Sequence, residues 1–370
     1  MSRTAIQRLY QEQDQAPWLD SISRDMIRSG ELQRLIAAVG IVGVTSNPTI
    51  FATALTQGSA YSEDIRRLRA QGLAPSDIFF ELMLQDIANA ADLLRPVYEQ
   101  TAHRDGYVSI EVTPEVVDSP QGMLAQARWF QARLARPNIY VKIPAVDSGI
   151  PAIEQAIYEG IPINITLIFG LARYAQVIEA FLTGLERRLA EGRALSAVWS
   201  VASFFVSRVD TKVDAQLAAL QRAGTANPGR LAALQGQVAI ANARVAYAMF
   251  QTTCASARWQ RLAAAGAQAQ RPLWASTGTK NPAYSDVRYV EELIGPQTVN
   301  TMPPATIAAF NDHGTVARTL DQDPAAAQRI LDDLAGVGVS LEQATQELEA
   351  EGAASFARSY AELHRAIATL

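Results

Sequence analysis

The chain has 370 residues, of which 49% are hydrophobic and 19% charged, so it can bury a large core as one α/β domain or as two smaller ones. Its formal net charge of −5 gives no electrostatic footprint for nucleic acid, and no block of lysine or arginine marks a membrane surface. The composition therefore favours a protein that acts on small molecules.

Residues for metal or cofactor binding are scarce. The single cysteine, Cys254, excludes an internal disulfide and a cysteine-based zinc cluster, and it suits a reducing compartment. His103, His313 and His364 are too widely separated to show a metal-ligand spacing, and no glycine-rich nucleotide motif is present. The N-terminal segment lacks the apolar core of a signal peptide, and no apolar run is long enough to span a membrane. We therefore expect a cytoplasmic protein without a metal or an organic cofactor.

Eight short β-branched or apolar segments recur along the chain, and a longer stretch with helical periodicity follows each of them. In chain order, the predicted strands are WLDSI (18–22), VGVTSNP (42–48), YVSIEVT (107–113), IYVKIPA (139–145), IPINITLIF (161–169), AVWSVASFF (197–205), PLWAST (272–277) and TVNTMPP (298–304). This alternation predicts parallel βα units, and eight such units are the number in a closed (β/α)8 barrel of the TIM type.

The segments between the predicted strands are amphipathic helices that would form the outer ring of the barrel. Residues 213–271 are rich in alanine and glutamine, are broken by GTANPG, and predict two helices rather than a second domain. Residues 322–370 are predicted to be helical throughout and could pack across one end of the barrel. No linker or charge run marks a boundary, so we expect residues 1–370 to form a single α/β barrel domain with additional helices.

Polar side chains lie at or near the C-terminal ends of the predicted strands. They are Asp20, Thr45, Asn47, Glu111, Lys142, Asn164, Thr166, Ser203 and Ser276. A lone asparagine or threonine there is most often a hydrogen-bonded structural residue, but unpaired charges are expensive to bury. Since the C-terminal ends of barrel strands converge on one mouth, we expect Asp20, Glu111 and Lys142 to meet there.

Lys142 lies inside NIYVKIPA (138–145), a run that otherwise predicts a buried strand. Its stem could lie on apolar surface at a strand end with its ammonium group in water. Alternatively, it could point into the barrel, where desolvation favours the neutral amine that attacks a carbonyl carbon. Two carboxylates on separate strands could then divide the work, one serving Schiff-base formation and the other serving as the base for carbon–carbon cleavage.

Basic residues follow the sixth and seventh predicted strands. Arg208 lies in SFFVSRVDTKVD, and the segment STGTKNP offers Ser276, Gly278 and Lys280. Arginine suits bidentate phosphate recognition, lysine acts as a point charge, and a glycine-containing loop that enters a helix exposes backbone N–H groups. These residues predict a phosphate site, although Arg208 could instead form a salt bridge with Asp210 or Asp214.

Several of these segments together resemble transaldolase, specifically its longer bacterial-type subfamily within the class I Schiff-base aldolases. They are WLDSISRDMIRSGELQRLIAAVGIVGVTSNPTIF, IYVKIPA, INITLIF, SVASFFVSRVDTKVD and WASTGTKNPAYSDVRYVEELIGPQTVNTMPPATI, and the resemblance extends from about residue 6 to the tail. It implies a (β/α)8 barrel with a Schiff-base lysine, no metal and no organic cofactor. Such an enzyme moves a dihydroxyacetone unit between sugar phosphates in the pentose phosphate pathway.

The resemblance also implies roles for individual residues. Catalytic roles fall on Lys142, Asp20, Glu111 and Thr166. Substrate-binding roles fall on Thr45, Asn47, Asn164, Ser203, Phe205, Arg208, Ser276 and Lys280, the last standing where shorter family members carry arginine. The expected donors are sedoheptulose 7-phosphate and fructose 6-phosphate, and the expected acceptors are glyceraldehyde 3-phosphate and erythrose 4-phosphate.

Two alternative functions remain open at this point, an aldolase and a catalytically silent binding protein. Related fructose 6-phosphate aldolases, which release free dihydroxyacetone, tend to carry tyrosine at position 205, and Phe205 lacks the hydroxyl group that would help to protonate an enamine. A catalytically silent sugar-phosphate-binding barrel would keep Arg208 and Lys280 but would not need the three charged strand residues. The chain is expected to be either a monomer or a homodimer.

Overall fold

The barrel predicted from the sequence is the fold of the protein. The computed structural model describes residues 3–47, 50, 51, 54, 60–224 and 227–369. Within these residues, eight parallel strands follow one another around a closed barrel in chain order. They are β1 (Gln15–Asp20), β2 (Gly43–Thr45), β3 (Tyr107–Glu111), β4 (Ile139–Pro144), β5 (Ile163–Ile168), β6 (Ser200–Phe205), β7 (Arg271–Ala275) and β8 (Thr298–Met302).

The strands agree with the predicted segments, but some boundaries were predicted wrongly. β1 begins three residues before the predicted segment, because Gln15, Ala16 and Pro17 pair with β8. β2 ends at Thr45, so the prediction of strand up to residue 48 is wrong for residues 46 and 47, and residue 48 lies outside the described part of the chain. Strand pairing between distant segments therefore decides the boundaries that the local pattern misplaces.

Helices surround the barrel. In the described residues they are α1 (Ala5–Gln13), α2 (Arg24–Arg28), α3 (Glu31–Arg34), α4 (Ser62–Ala70), α5 (Pro75–Gln100), α6 (Pro120–Leu134), α7 (Gly149–Glu159), α8 (Leu171–Ala190), α9 (Ser207–Ala223), α10 (Pro228–Leu234), α11 (Val238–Ala255), α12 (Ala257–Ala264), α13 (Arg288–Glu291), α14 (Pro304–His313), α15 (Pro324–Gly336) and α16 (Leu341–Thr369). A π-helical turn continues α3 over Leu35–Val39, and a 3₁₀ turn covers Pro114–Val116. None of these helices combines the length and apolar character needed to cross a membrane.

The prediction of two helices in residues 213–271 is wrong, because this segment contains the end of α9 and all of α10, α11 and α12. Side-chain caps start two of the additional helices. Asn227 accepts hydrogen bonds from the backbone N–H groups of Gly229 and Arg230 at the start of α10. Ser256 accepts one from the backbone N–H of Trp259 at the start of α12, directly after α11 ends.

Part of the C-terminal tail packs across the barrel mouth, as predicted: α16 packs on α5, α9, β5 and the turn after β3. The other helix of the tail, α15, packs on α10 and α11 in the outer ring, and residues 337–340 interrupt the helical structure that was predicted throughout the tail. Two basic residues of the outer ring hold α16 in place. Arg173 of α8 lies 2.8 Å from Glu349, and Lys212 of α9 lies 2.7 Å from Glu347.

Aromatic side chains fill the barrel interior. The rings of Tyr107 and Tyr140 stack with centroids 3.9 Å apart, and the Trp18 ring stacks on Tyr140 at 6.0 Å. Gly43 leaves room for the indole, because a Cβ atom at this position would lie 2.4 Å from the Trp18 ring. The lower part of the barrel is therefore packed with side chains, as is usual for this architecture.

A buried ion pair lies at the N-terminal end of the barrel. Arg271 begins β7 and lies 2.8 Å from the Asp105 carboxylate, and both side chains are almost completely buried. The Tyr10 hydroxyl donates a second hydrogen bond to Asp105 at 3.1 Å. The paired charges and the hydroxyl group stabilise the N-terminal end of the barrel.

Candidate active site

A cavity of about 620 Å³ opens at the C-terminal ends of the strands. Eleven of the twelve predicted site residues line it: Asp20, Thr45, Asn47, Glu111, Lys142, Thr166, Ser203, Phe205, Arg208, Ser276 and Lys280. The remaining residue, Asn164, does not line the cavity. The structure therefore brings together charged and polar groups from β1 to β7 and from the loops that follow these strands.

Lys142 lies inside the mouth of the barrel and not at a solvated strand end, so the alternative of a solvent-exposed ammonium group is wrong. Its Nζ atom lies 3.3 Å from Glu111 Oε2 and donates a hydrogen bond to the backbone carbonyl of Ser46 at 3.2 Å. The side chains of Lys142 and Glu111 are 9% and 10% exposed. The pairing of Glu111 with Lys142 across β3 and β4 fixes this arrangement, because paired residues of neighbouring strands project to the same face.

Burial raises the pKa of the Glu111 carboxyl, and the adjacent Lys142 only partly offsets this effect. A carboxyl with a raised pKa gives up and takes back a proton closer to neutral pH than an ordinary glutamate does. Glu111 can therefore exchange protons with groups that react at Lys142.

Asp20 is the last residue of β1, and a chain of hydroxyl groups orients its carboxylate. Thr45, its partner in β2, donates a hydrogen bond to Asp20 Oδ1 at 2.7 Å. The Thr45 and Thr301 hydroxyl oxygens lie 2.6 Å apart, and since Thr45 gives its proton to Asp20, Thr301 donates to Thr45. Sequence reasoning missed Thr301, although it lies two residues after Val299 in β8 and therefore projects into the barrel interior as Val299 does.

Asn164 supports the cavity wall from below. It is completely buried; its Oδ1 accepts a hydrogen bond from Ser203 at 2.6 Å, and its Nδ2 donates to Ser109 at 3.2 Å. Ser203 itself lines the cavity. In this structure Asn164 therefore positions Ser203 and makes no direct contribution to the cavity surface.

Thr166 is buried and lines the cavity between β4 and β6. The next residue, Leu167, has a left-handed φ of 60°, which is strained for a leucine, and the register between β5 and β6 shifts at this point. Leu167 also lines the cavity. The strained backbone thus places two consecutive side chains of β5 in the cavity wall.

Arg208 and Lys280 lie on the side of the cavity formed by β6 and β7. Arg208 is the second residue of α9, and its guanidinium lies 5.4 Å from the ring centroid of Phe205. Within the described residues, neither Arg208 nor Lys280 has a carboxylate within ion-pair distance. Both cations therefore face the cavity with their charges available to an anion.

The alternative salt bridge of Arg208 is wrong, because both candidate carboxylates have other partners. Asp210 accepts hydrogen bonds from the backbone N–H of Ala239 at 2.7 Å and from the Tyr289 hydroxyl at 2.8 Å. Asp214 accepts one from the Tyr284 hydroxyl at 2.7 Å. The two aspartates thus hold α9 to its neighbours and leave Arg208 to the cavity.

Ser276 connects the start of α9 with the loop that follows β7. Its φ of 55° is left-handed, its hydroxyl oxygen lies 3.0 Å from that of Ser207, and its carbonyl accepts a hydrogen bond from the Ser207 backbone N–H at 3.1 Å. These contacts hold the start of α9, which carries Arg208, against the loop that carries Lys280.

The cavity also contains residues that sequence reasoning missed. Gly352, Ser355 and Phe356 of α16 line it, as does Asp25 of α2. The helical pattern of the tail predicts its packing across the mouth, but an amphipathic pattern does not tell which of its residues reach a cavity. In the part of the chain that the structure describes, no group of three or more histidine, cysteine, aspartate or glutamate side chains is placed to hold a metal ion.

Comparison with known proteins agrees with this geometry. A family model described as transaldolase/fructose-6-phosphate aldolase matches residues 17–367. A transaldolase of Thermobifida fusca is 49% identical over 349 residues, which cover 94% of this chain and 93% of that protein. Transaldolase 2 of a Nostoc species is 44% identical over 357 residues, which cover 95% of this chain and 94% of that protein. The chain therefore belongs to the transaldolase/fructose-6-phosphate aldolase family.

Proposed function

We propose that the protein is a transaldolase of the non-oxidative pentose phosphate pathway. It transfers a dihydroxyacetone unit from sedoheptulose 7-phosphate or fructose 6-phosphate to glyceraldehyde 3-phosphate or erythrose 4-phosphate. The observation that carries the proposal is the Lys142 amine, which lies 3.3 Å from Glu111 in a cavity that also contains Asp20 and two cations without carboxylate partners in the described residues. An amine, two carboxylates and a phosphate site are the groups that Schiff-base sugar-phosphate chemistry requires.

The reaction begins when the phosphate of the ketose binds to Arg208 and Lys280 and the Lys142 amine attacks the keto carbon. The carbinolamine that results must lose water to become an iminium ion. Glu111 shuttles the protons of this step through a water molecule held by Thr166. The raised pKa of Glu111 supports this role, because the carboxyl must both donate and accept a proton within one cycle.

Carbon–carbon cleavage needs a base on the hydroxyl group beyond the scissile bond. Asp20 takes this proton, the hydroxyl carbon becomes the aldehyde of the departing aldose phosphate, and the bonding electron pair moves into the iminium to give an enamine. Asn47 and Ser203 hold the retained unit, and Asn164 orients Ser203 through the 2.6 Å hydrogen bond between them. The acceptor aldose phosphate then reverses these steps.

The second candidate function is an aldolase that releases free dihydroxyacetone. Release requires protonation of the enamine, and Phe205, which lines the cavity, offers no hydroxyl group for it. Both relatives described above carry the name transaldolase. These two observations favour transfer over release.

Reduction of the enzyme with borohydride in the presence of fructose 6-phosphate tests the proposal. We expect a dihydroxyacetone-derived mass on the peptide that contains Lys142 and no such mass in Lys142→Arg. Lys212→Arg is the matched control, because Lys212 pairs with Glu347 outside the cavity and its replacement should leave labelling intact. Labelling of another lysine would contradict the role of Lys142, and an unlabelled parent protein would favour a silent binding barrel.

We also propose that residues 1–370 act as one catalytic domain, as a monomer or homodimer, in the cytoplasm. The ion pairs that join α16 to α8 and α9 support a single domain, and the one free cysteine suits a reducing compartment. Light scattering of the purified protein and fractionation of the producing cells test the oligomeric state and the location.

A further inference from the structure

The C-terminal helix α16 lies over the part of the mouth formed by β3, β4 and β5. A Cβ atom at Gly352 would lie 3.1 Å from Leu167 Cδ2, so the helix approaches β5 closely at this point. Further along, the Tyr360 ring packs edge-to-face on Phe79 of α5, the helix that precedes β3, with centroids 5.5 Å apart. The helix therefore crosses the mouth from β5 to β3, and the strand between them carries Lys142.

Two side chains of this helix, Ser355 and Phe356, line the same cavity as Lys142. They follow Gly352 by about one helical turn, which places them between its contact with β5 and the contact of Tyr360 with α5. Arg208 lies in the first turn of α9, directly after β6, and Lys280 lies in the loop after β7. The first turns of α16 pack on α9 through Lys212 and Glu347, whereas Ser355 and Phe356 lie further along, between β5 and α5. In the closed barrel, these two side chains therefore lie on the β3–β5 side of Lys142, and the two cations lie on the β6–β7 side.

A bound ketose would span these two sides. With its phosphate on the cations and its keto carbon joined to Lys142, the three carbons that remain on the enzyme lie on the α16 side. We propose that Phe356, together with Ser355, contacts this retained three-carbon unit and determines whether it is transferred or released. This inference rests on the proposed function.

The physical reason is the exclusion of water. Release requires that the enamine carbon take a proton, that a water oxygen bond to the former keto carbon, and that the carbon–nitrogen bond break, which returns free dihydroxyacetone and the Lys142 amine. An apolar ring against the retained unit takes the place of water on that side and lowers the rate of hydrolysis. The Ser355 hydroxyl can hydrogen-bond with a hydroxyl of the unit without supplying mobile water.

Phe356→Ala tests the inference. Release of free dihydroxyacetone is measured with fructose 6-phosphate alone, and transfer is measured with fructose 6-phosphate and erythrose 4-phosphate. We expect the ratio of the release rate to the transfer rate to increase about tenfold, at the lower end of what apolar contacts in an enzyme pocket contribute. The KM for erythrose 4-phosphate should stay near that of the parent, because the phosphate-binding cations are unchanged. Phe356→Leu keeps an apolar side chain and should lie between the parent and Phe356→Ala.

Arg358→Ala is the matched control, because it removes a large side chain from the exposed face of the same helix and should keep the parent ratio. If Phe356→Ala does not fold by circular dichroism, Phe356→Leu carries the test with a smaller expected increase. Equal changes in transfer and release, or a change confined to the KM for the acceptor, would overturn the inference. The borohydride adduct on Lys142 of the parent is measured first, so a failure of the proposed function is recognised separately.

Discussion

Replacing Asp210 with asparagine should weaken the pH dependence of the protein's stability. The Asp210 side chain is 1% exposed, and it accepts hydrogen bonds from the backbone N–H of Ala239 and from the Tyr289 hydroxyl. Burial raises the pKa of the Asp210 carboxyl from its ordinary value of 3.8 to about 6, and the two hydrogen bonds offset only part of this increase. The folded protein therefore binds this proton more tightly than the unfolded chain does.

The sign of the effect follows from proton linkage. The stabilisation from protonated Asp210 is fully present below about pH 3.8 and is lost as the pH rises through about 6. Since each tenfold difference in proton affinity corresponds to about 1.4 kcal/mol, the whole loss is about 3 kcal/mol, and roughly half of it occurs above about pH 5. Asparagine does not titrate, so between about pH 5 and about pH 7.5 the free energy of unfolding should shift by about 1.5 kcal/mol in favour of the variant relative to the parent.

Urea unfolding of the parent and of Asp210→Asn at the two pH values measures this shift. Asp333→Asn removes a carboxylate that is 63% exposed and should show no such shift. The KM for fructose 6-phosphate should remain near that of the parent, because Asp210 does not pair with Arg208. The same stability difference at both pH values would refute the reasoning about burial. A raised KM would indicate that Asp210 does form an ion pair with Arg208.

Two further predictions concern catalysis. Arg208→Ala should raise the KM for both donor and acceptor by about ten- to a hundred-fold, since a charge-assisted contact contributes roughly 1.5 to 3 kcal/mol. Steady-state kinetics measure both KM values, and unchanged values for both substrates would contradict the shared phosphate site. Asp20→Asn should accumulate an adduct that contains the full donor sugar, whereas Glu111→Gln should form little adduct. The transfer rate of each variant should fall by about 10² to 10⁴ relative to the parent. Rapid borohydride quenching and intact-protein mass spectrometry distinguish these outcomes, and aldose phosphate release by Asp20→Asn at near the parent rate would assign Asp20 a structural role.

The sequence alone identifies the barrel and the charged centre of the site. Each strand is a short apolar run followed by a helical pattern, so the number and order of the strands can be predicted locally. A charge inside an apolar run is also a strong local signal, and it leads to Lys142 and Glu111. The start of β1 cannot be predicted in this way, because Gln15 joins the strand only through its pairing with β8.

Other features of the site depend on packing that no local pattern contains. Asn164 and Ser203 are both polar residues of buried strands, and only the hydrogen bond between them shows that one supports the other beneath the cavity. The partners of Asp210, which exclude its ion pair with Arg208, come from α11 and from Tyr289 of α13. Phe356 is one of many apolar residues in the C-terminal tail, and its place in the cavity follows from the path of α16 across the mouth.

The stacked rings of Trp18, Tyr107 and Tyr140 have a consequence for the order of events in a catalytic cycle. Because these rings occupy the barrel below Lys142, a sugar reaches the amine from the mouth and leaves by the same route. If both aldose phosphates use Arg208 and Lys280, as proposed above, they cannot be bound together, so the first product has to depart before the acceptor binds. On the proposed mechanism, the three-carbon unit remains on Lys142 while the first aldose phosphate leaves and the acceptor binds, so the two aldose phosphates compete for the same form of the enzyme.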